Sequence, residues 1–166
     1  MSGGEVDAGA MRAARRRWAG GVAVVLTRDG EGYRGATVSA FAVVSLEPAL
    51  VLVCLDREGR LAAAVPATGA FTASVLDRRQ AFLAERFAGR APLSDAALSD
   101  VPHDVLPNGL PVLRDALAWF ACRVRATHDG GDHVVVLGAV ETVGLGADTD
   151  DPLLFYEGRY RGIEVG

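Results

Sequence analysis

The chain holds two cysteines, Cys54 and Cys122, in 166 residues, too few for a disulfide framework to carry the fold. Both stand inside apolar, strand-like runs, where an unpaired thiol behaves as a small core residue. Basic charge is not in excess. With 17 Lys+Arg against 21 Asp+Glu the formal net charge is −4, which argues against nucleic acid or an anionic membrane as partner. No apolar run reaches spanning length, and the polar, glycine-rich N-terminus has no secretory pattern, so a cytoplasmic location is expected. Dinucleotide-fold signatures are missing as well. No G-x-G-x-x-G follows a strand and opens a helix, no Walker A sequence occurs, and Gly144-Leu145-Gly146 is an isolated fragment. His128, Asp129, Asp132 and His133 match no zinc spacing, and Asp148, Asp150 and Asp151 lack the ligand series of a calcium loop. No metal site is expected.

What is present is hydrophobicity, at 50% of residues, in a chain long enough for one domain with a real core. That share means either a generous core or an apolar face covered by a second subunit, and the second is the expectation. Residues 1–10 read as a disordered tail and 11–166 as the folded domain. A short helix over Ala10–Trp18 carries a basic run, Arg12 to Arg17, expected to be its solvated face, and Gly20-Gly21 should end it.

Strands follow over Gly21–Arg28 and Tyr33–Ser39 about the Asp29-Gly30-Glu31-Gly32 turn, and then on both sides of Leu46-Glu47-Pro48. A helix over Arg57–Val65 should stop at Pro66, and Ala70–Leu76 is the next strand. Asp77 reads as the N-cap of a helix over Arg78–Ala88. Residues 90–111, with Pro92, Pro102, Pro107 and Pro111, read as a loop covering a site or a subunit seam. Ala116–Thr127 and His133–Val143 form a long hairpin about His128 to Asp132, and Leu153–Tyr156 is a last short strand. Many short strands in hairpins with two or three helices predict a mainly β fold, an antiparallel barrel with helices over its ends.

The organising stretch is Gly35 to Leu55, where the small hydroxyls of Thr37 and Ser39, with Val38 and Ala40 beside them, form a polar knot before two apolar runs. Donors there suit a phosphate, a flavin edge or a buried backbone turn. This stretch, with Phe71-Thr72-Ala73-Ser74-Val75-Leu76, Gly131-Asp132-His133, and Pro152 to Tyr156 with Gly158-Arg159-Tyr160, resembles the flavin reductase family of FMN-binding split barrels. The resemblance runs from residue 12 to residue 163. It implies a six- or seven-stranded, Greek-key-like split barrel forming a homodimer, with the flavin in a groove near the subunit interface.

The resemblance further implies NAD(P)H-dependent reduction of FMN, or FAD, by hydride transfer from nicotinamide C4 to flavin N5. The reduced flavin would then go to a separate oxygenase component. Retained FMN serving another acceptor, or a non-catalytic flavin-binding barrel, are the alternatives. On the flavin it places Thr37, Val38, Ser39 and Ala40. Cys54, Leu55 and Asp56 lead into its phosphate-binding segment. Where members commonly carry serine and threonine, this chain has Glu58-Gly59-Arg60-Leu61, so Gly59, the amides opening the helix and Arg60 would hold the phosphate. Ser74, where many members have asparagine, stands with Val75 and Leu76 at the isoalloxazine edge, and Gln80 and Phe87 reach toward the ring. His133, the one catalytic candidate, would lie on the nicotinamide side, there to position the dinucleotide or donate a hydrogen bond. Arg159 would meet an anion and Tyr160 would pack against the flavin or nicotinamide.

Overall fold

The computed structural model describes residues 5–30, 32–89, 98–146, 148 and 151–163. A helix α1 (Ala8–Arg15) comes first, capped by the Asp7 carboxylate, which accepts from the Ala10 N–H. It therefore opens inside the stretch expected to be a tail. Gly20–Gly21, where the helix is expected to stop and the strand Gly21–Arg28 to open, forms a separate two-residue strand β1. Next, β2 (Ala23–Asp29) explains its own unbroken apolar sequence, because it is buried on both faces. Ala23 and Val25 turn into one core, Val24 and Leu26 into another.

The hairpin partner of β2 is β3 (Gly32–Val38); β4 (Phe41–Leu46) and β5 (Ala49–Asp56) make the next, about a cis Glu47–Pro48 peptide. With β6 (Ala70–Val75) and the long β9 (Ala118–Gly130) and β10 (His133–Leu145), they form a seven-stranded antiparallel sheet in the order β3-β2-β6-β9-β10-β5-β4. Its two edges, β3 and β4, are joined through Ser39–Ala40. The Cys54 N–H donates to the Ala40 carbonyl at 3.0 Å, and Val38 of β3 shares a core with Val51, Val53 and Leu55 of β5. The sheet thus curls into the expected split barrel.

Helix α2 (Arg60–Thr68) closes the inner core with Leu61 and Val65. It does not stop at Pro66. Pro66 is exposed, so its ring costs one backbone hydrogen bond but no packing, and the helix runs on to Gly69, whose φ of 75° ends it. Asp77 does cap the next helix. Its carboxylate accepts from the Arg79 N–H and the Gln80 side chain accepts from the Asp77 N–H, a reciprocal box. One 3-10 turn (Arg78–Gln80) leads into α3 (Ala81–Phe87), which packs Leu83, Ala84 and Phe87 on the outer face of β2.

The segment expected as a bare loop contains a hairpin of its own, β7 (His103–Val105) with β8 (Pro111–Leu113). It is tied down by Thr72, whose hydroxyl donates to the Pro111 carbonyl at 2.6 Å, and by Ser74, whose hydroxyl accepts from the Leu113 N–H at 3.1 Å. Pro92 lies outside the described residues. A small sheet of β1, β11 (Leu154–Tyr156) and β12 (Arg159–Arg161) completes the chain.

Phe71 is fully buried in the inner core, against the backbone of Gly138: a Cβ at 138 would come within 2.7 Å of its ring. Cys122 lies in the same core, where burial pushes its thiol up to about 12, and burial also raises that of the half-buried Cys54. Alkylation of native protein near pH 8 should therefore leave Cys122 unmodified, whereas the denatured chain takes up reagent at both thiols, as intact mass will read. Modification of Cys122 in the native state at a rate matching the denatured chain would contradict this packing.

Candidate functional site

The end of β3 presents the polar knot. Thr37 Oγ1 donates to the Ala84 carbonyl at 2.6 Å, which ties β3 to α3. Ser39 is exposed, and its hydroxyl has no hydrogen-bond partner among the described residues. Two adjoining cavities meet at this serine. The smaller, of about 110 Å³, lies among Thr37, Ser39, Phe155 and Tyr160; the larger, of about 430 Å³, is walled by Arg12, Arg15, Trp18 and Tyr156. Ser39 and Arg15 line both. The larger volume falls within the range of small-ligand sites.

A second group lies along the barrel edge from there. Ala40 bonds to Cys54, Cys54 pairs with Val135, and Asp56 pairs with His133. His133 opens β10 after a two-residue turn, Gly131–Asp132, in which Gly131 takes a φ of 75° that favours glycine. His133 Nδ1 stands 2.7 Å from Asp132 Oδ1. That hydrogen bond first, and the imidazolium charge second, hold the Asp132 carboxyl below the usual range, with smaller help from the Arg15 charge. Because the shift is downward, the carboxylate's part in this contact is present above the ordinary carboxylate range and is lost as pH falls into acid.

The residue that fixes this turn is Arg57, which sequence reading missed. Its N–H donates to the Asp132 carbonyl at 3.0 Å, Nε to the Gly131 carbonyl at 2.9 Å, and Nη2 to Asp129 Oδ1 at 2.5 Å and the His133 carbonyl at 3.2 Å. Replacing Arg57 by Gln should loosen the turn, seen as faster amide exchange at residues 129–133 with little change in global stability. Unchanged exchange there would show that the turn does not depend on the guanidinium.

The phosphate segment is open. Asp56 Oδ1 accepts from the Glu58 N–H at 2.9 Å, Gly59 is the N-cap of α2 without a side-chain cap, and Arg60 is exposed in its first turn. Other expected site residues do not come to the cavities. Ser74 is fully buried with its hydroxyl held by Leu113, and Phe87 is core, 2.7 Å from where a Cβ on Gly35 would sit. Gln80 is buried, its amide accepting from the Asp77 N–H and donating to the Arg114 carbonyl. The Leu76 N–H donates to the Val22 carbonyl and its carbonyl accepts from the Leu153 N–H, while the Val75 carbonyl accepts from the Leu117 N–H. Those main-chain groups are occupied. Arg159 is exposed on β12, and only its neighbour Tyr160 reaches the cleft. Arg12 and Arg15 are exposed, as expected of a solvated face, and also line the larger cavity. Their spacing of three residues was the available signal.

The flavin reductase like domain model matches residues 15–164. The chain belongs to that family. It is 36% identical over 161 residues to the reductase subunit HsaB of a flavin-dependent monooxygenase from Mycobacterium tuberculosis, covering 96% of this chain and 84% of that one. An NADH-dependent flavin reductase of Rhodococcus sp is 36% identical over 158 residues, covering 93% and 86%. The solved flavin reductase PheA2 in its native state superposes with a TM-score of 0.87 at 32% identity, covering 96% of this chain and all of that one.

Proposed function

We propose that this protein is an NADH-dependent flavin reductase that reduces FMN or FAD and supplies the reduced flavin to a separate oxygenase. The observation that carries the reading is the meeting of Thr37, Ser39 and Tyr160 at a cleft in a flavin reductase family chain. The relatives described as NADH-dependent, and as the reductase subunit of a monooxygenase, support the donor and the partner.

The residues fit the group. An unpartnered hydroxyl at Ser39 and aromatic walls at Phe155 and Tyr160 suit a planar heterocycle. When bound, the flavin supplies the redox chemistry, accepting hydride at N5. The chain's own work is to position and to exclude water. Ser39 and the Ala40 segment hold one edge, and Gly59 with Arg60 hold anionic charge at the start of α2. His133, steadied by Asp132, holds the nicotinamide side without transferring a proton.

The working unit is a homodimer. Edge strand β4 carries Val43, Val44 and Leu46 exposed to solvent, and Val143 and Leu145 stand exposed at the end of β10, two strands away. A second copy covering this face accounts for the hydrophobic surplus.

Steady-state NADH oxidation with FMN or FAD titrated from zero tests the reading. Saturable dependence on added flavin is expected. Turnover at full rate with no added flavin would contradict a diffusible product.

A further inference from the structure

Helix α1 has no buried residue. It is latched to the body at Glu157, a non-glycine residue at φ 53°. The Glu157 N–H donates to the Arg16 carbonyl at 3.1 Å, Arg16 Nη2 donates to the Glu157 carbonyl at 3.2 Å, and Arg17 Nε lies 3.1 Å from the Glu157 carboxylate. The latch engages Arg16 and Arg17. Arg12 and Arg15 have no carboxylate partner among the described residues, and both face the cavity of about 430 Å³.

On the same wall stand Tyr156 and the indole of Trp18, which is 81% exposed. An indole that open is a ready platform for a planar base. Two guanidinium groups three residues apart on one helix face are neighbours, and together they offer the paired charge and multiple N–H donors that a diphosphate takes. Arg15 also lines the cleft of Thr37 and Tyr160, and its charge reaches Asp132 beside His133. The cavity is therefore continuous with the cleft of Thr37 and Tyr160, which it meets at Arg15, Ser39 and Phe155.

We infer that this cavity takes the adenosine diphosphate moiety of a nucleotide, with Arg12 and Arg15 on the phosphates and Trp18 against the base. The inference rests on the flavin reductase reading, which places the redox partners next door. NADH and FAD both carry this moiety and FMN does not, so the two sources can be separated.

The test uses the full chain and the double variant Arg12→Gln/Arg15→Gln, whose exposed positions leave the core intact; Arg12→Lys/Arg15→Lys controls for charge alone. ADP binding is read by calorimetry, flavin binding by fluorescence quenching, and the KM for NADH with FMN as acceptor. The Gln variant should weaken ADP about tenfold, as loss of charge-assisted hydrogen bonds does, and the Lys variant should recover part of it. A matching rise in the KM for NADH assigns the site to the hydride donor; a matching loss for FAD but not FMN assigns it to the flavin. Either result supports the inference. Unchanged ADP binding in the Gln variant, no ADP binding by the parent chain, or equal weakening of FMN and FAD would overturn it. A parent chain that binds ADP but oxidises no NADH with any flavin would instead refute the reductase reading and leave the nucleotide site standing.

Discussion

Phe71→Ala will lower the unfolding free energy by about 3–5 kcal/mol, the cost of emptying an aromatic site in a packed core. The ring is fully buried between Gly138 and the residues of β2, β5 and β10 that line the inner barrel. Gly138 has no side chain to swing into the space, and strands locked in a ladder on both sides do not close it. A chemical-denaturation series on parent and variant measures the loss. A change below about 1 kcal/mol would mean the barrel relaxes around the void and is not the rigid frame described.

The second large effect concerns the apolar face. The double variant Leu46→Glu/Leu145→Glu places charge at two leucines that are 87% and 92% exposed in the single chain. If a second copy covers them, each contributes about 1.5–3 kcal/mol of burial that the carboxylates abolish, and the dimer falls apart. Light scattering after gel filtration should give twice the chain mass for the parent and the chain mass for the variant. The variant keeps its fold, since neither leucine belongs to a core cluster. Flavin affinity should fall with the dimer, because the groove is expected at the subunit seam. A parent that is monomeric at assay concentration while fully active would remove the dimer from the account.

Local chemistry made much of this fold legible. Asp77 announces a helix start, and the Gly131–Asp132 turn lies within the stretch His128 to Asp132 where two strand-like runs meet. The doubly buried β2 is written as an unbroken apolar run. What did not show depends on partners distant in the chain. Arg57 reaches residues 72 to 76 positions away, and nothing around it in sequence marks that role. The family resemblance puts Gln80 and Ser74 near the ring; in the structure their amide and hydroxyl are taken up by Arg114 and Leu113, 34 and 39 positions on. Arg12 and Arg15 show the converse. An exposed basic face is the ordinary expectation for such a helix, and residues far along the chain, Ser39 and Phe155 to Gly158, make it the wall of a cavity.

The central claim is hydride transfer from NADH to a flavin held at Ser39 and Tyr160. Its most direct test is anaerobic mixing of the purified protein with NADH and oxidised FMN, following loss of the flavin absorbance. The account predicts protein-dependent bleaching, with flavin reduced in equal amount to NADH consumed and a rate that saturates in both. Folded protein that leaves FMN, FAD and riboflavin oxidised under those conditions would contradict it.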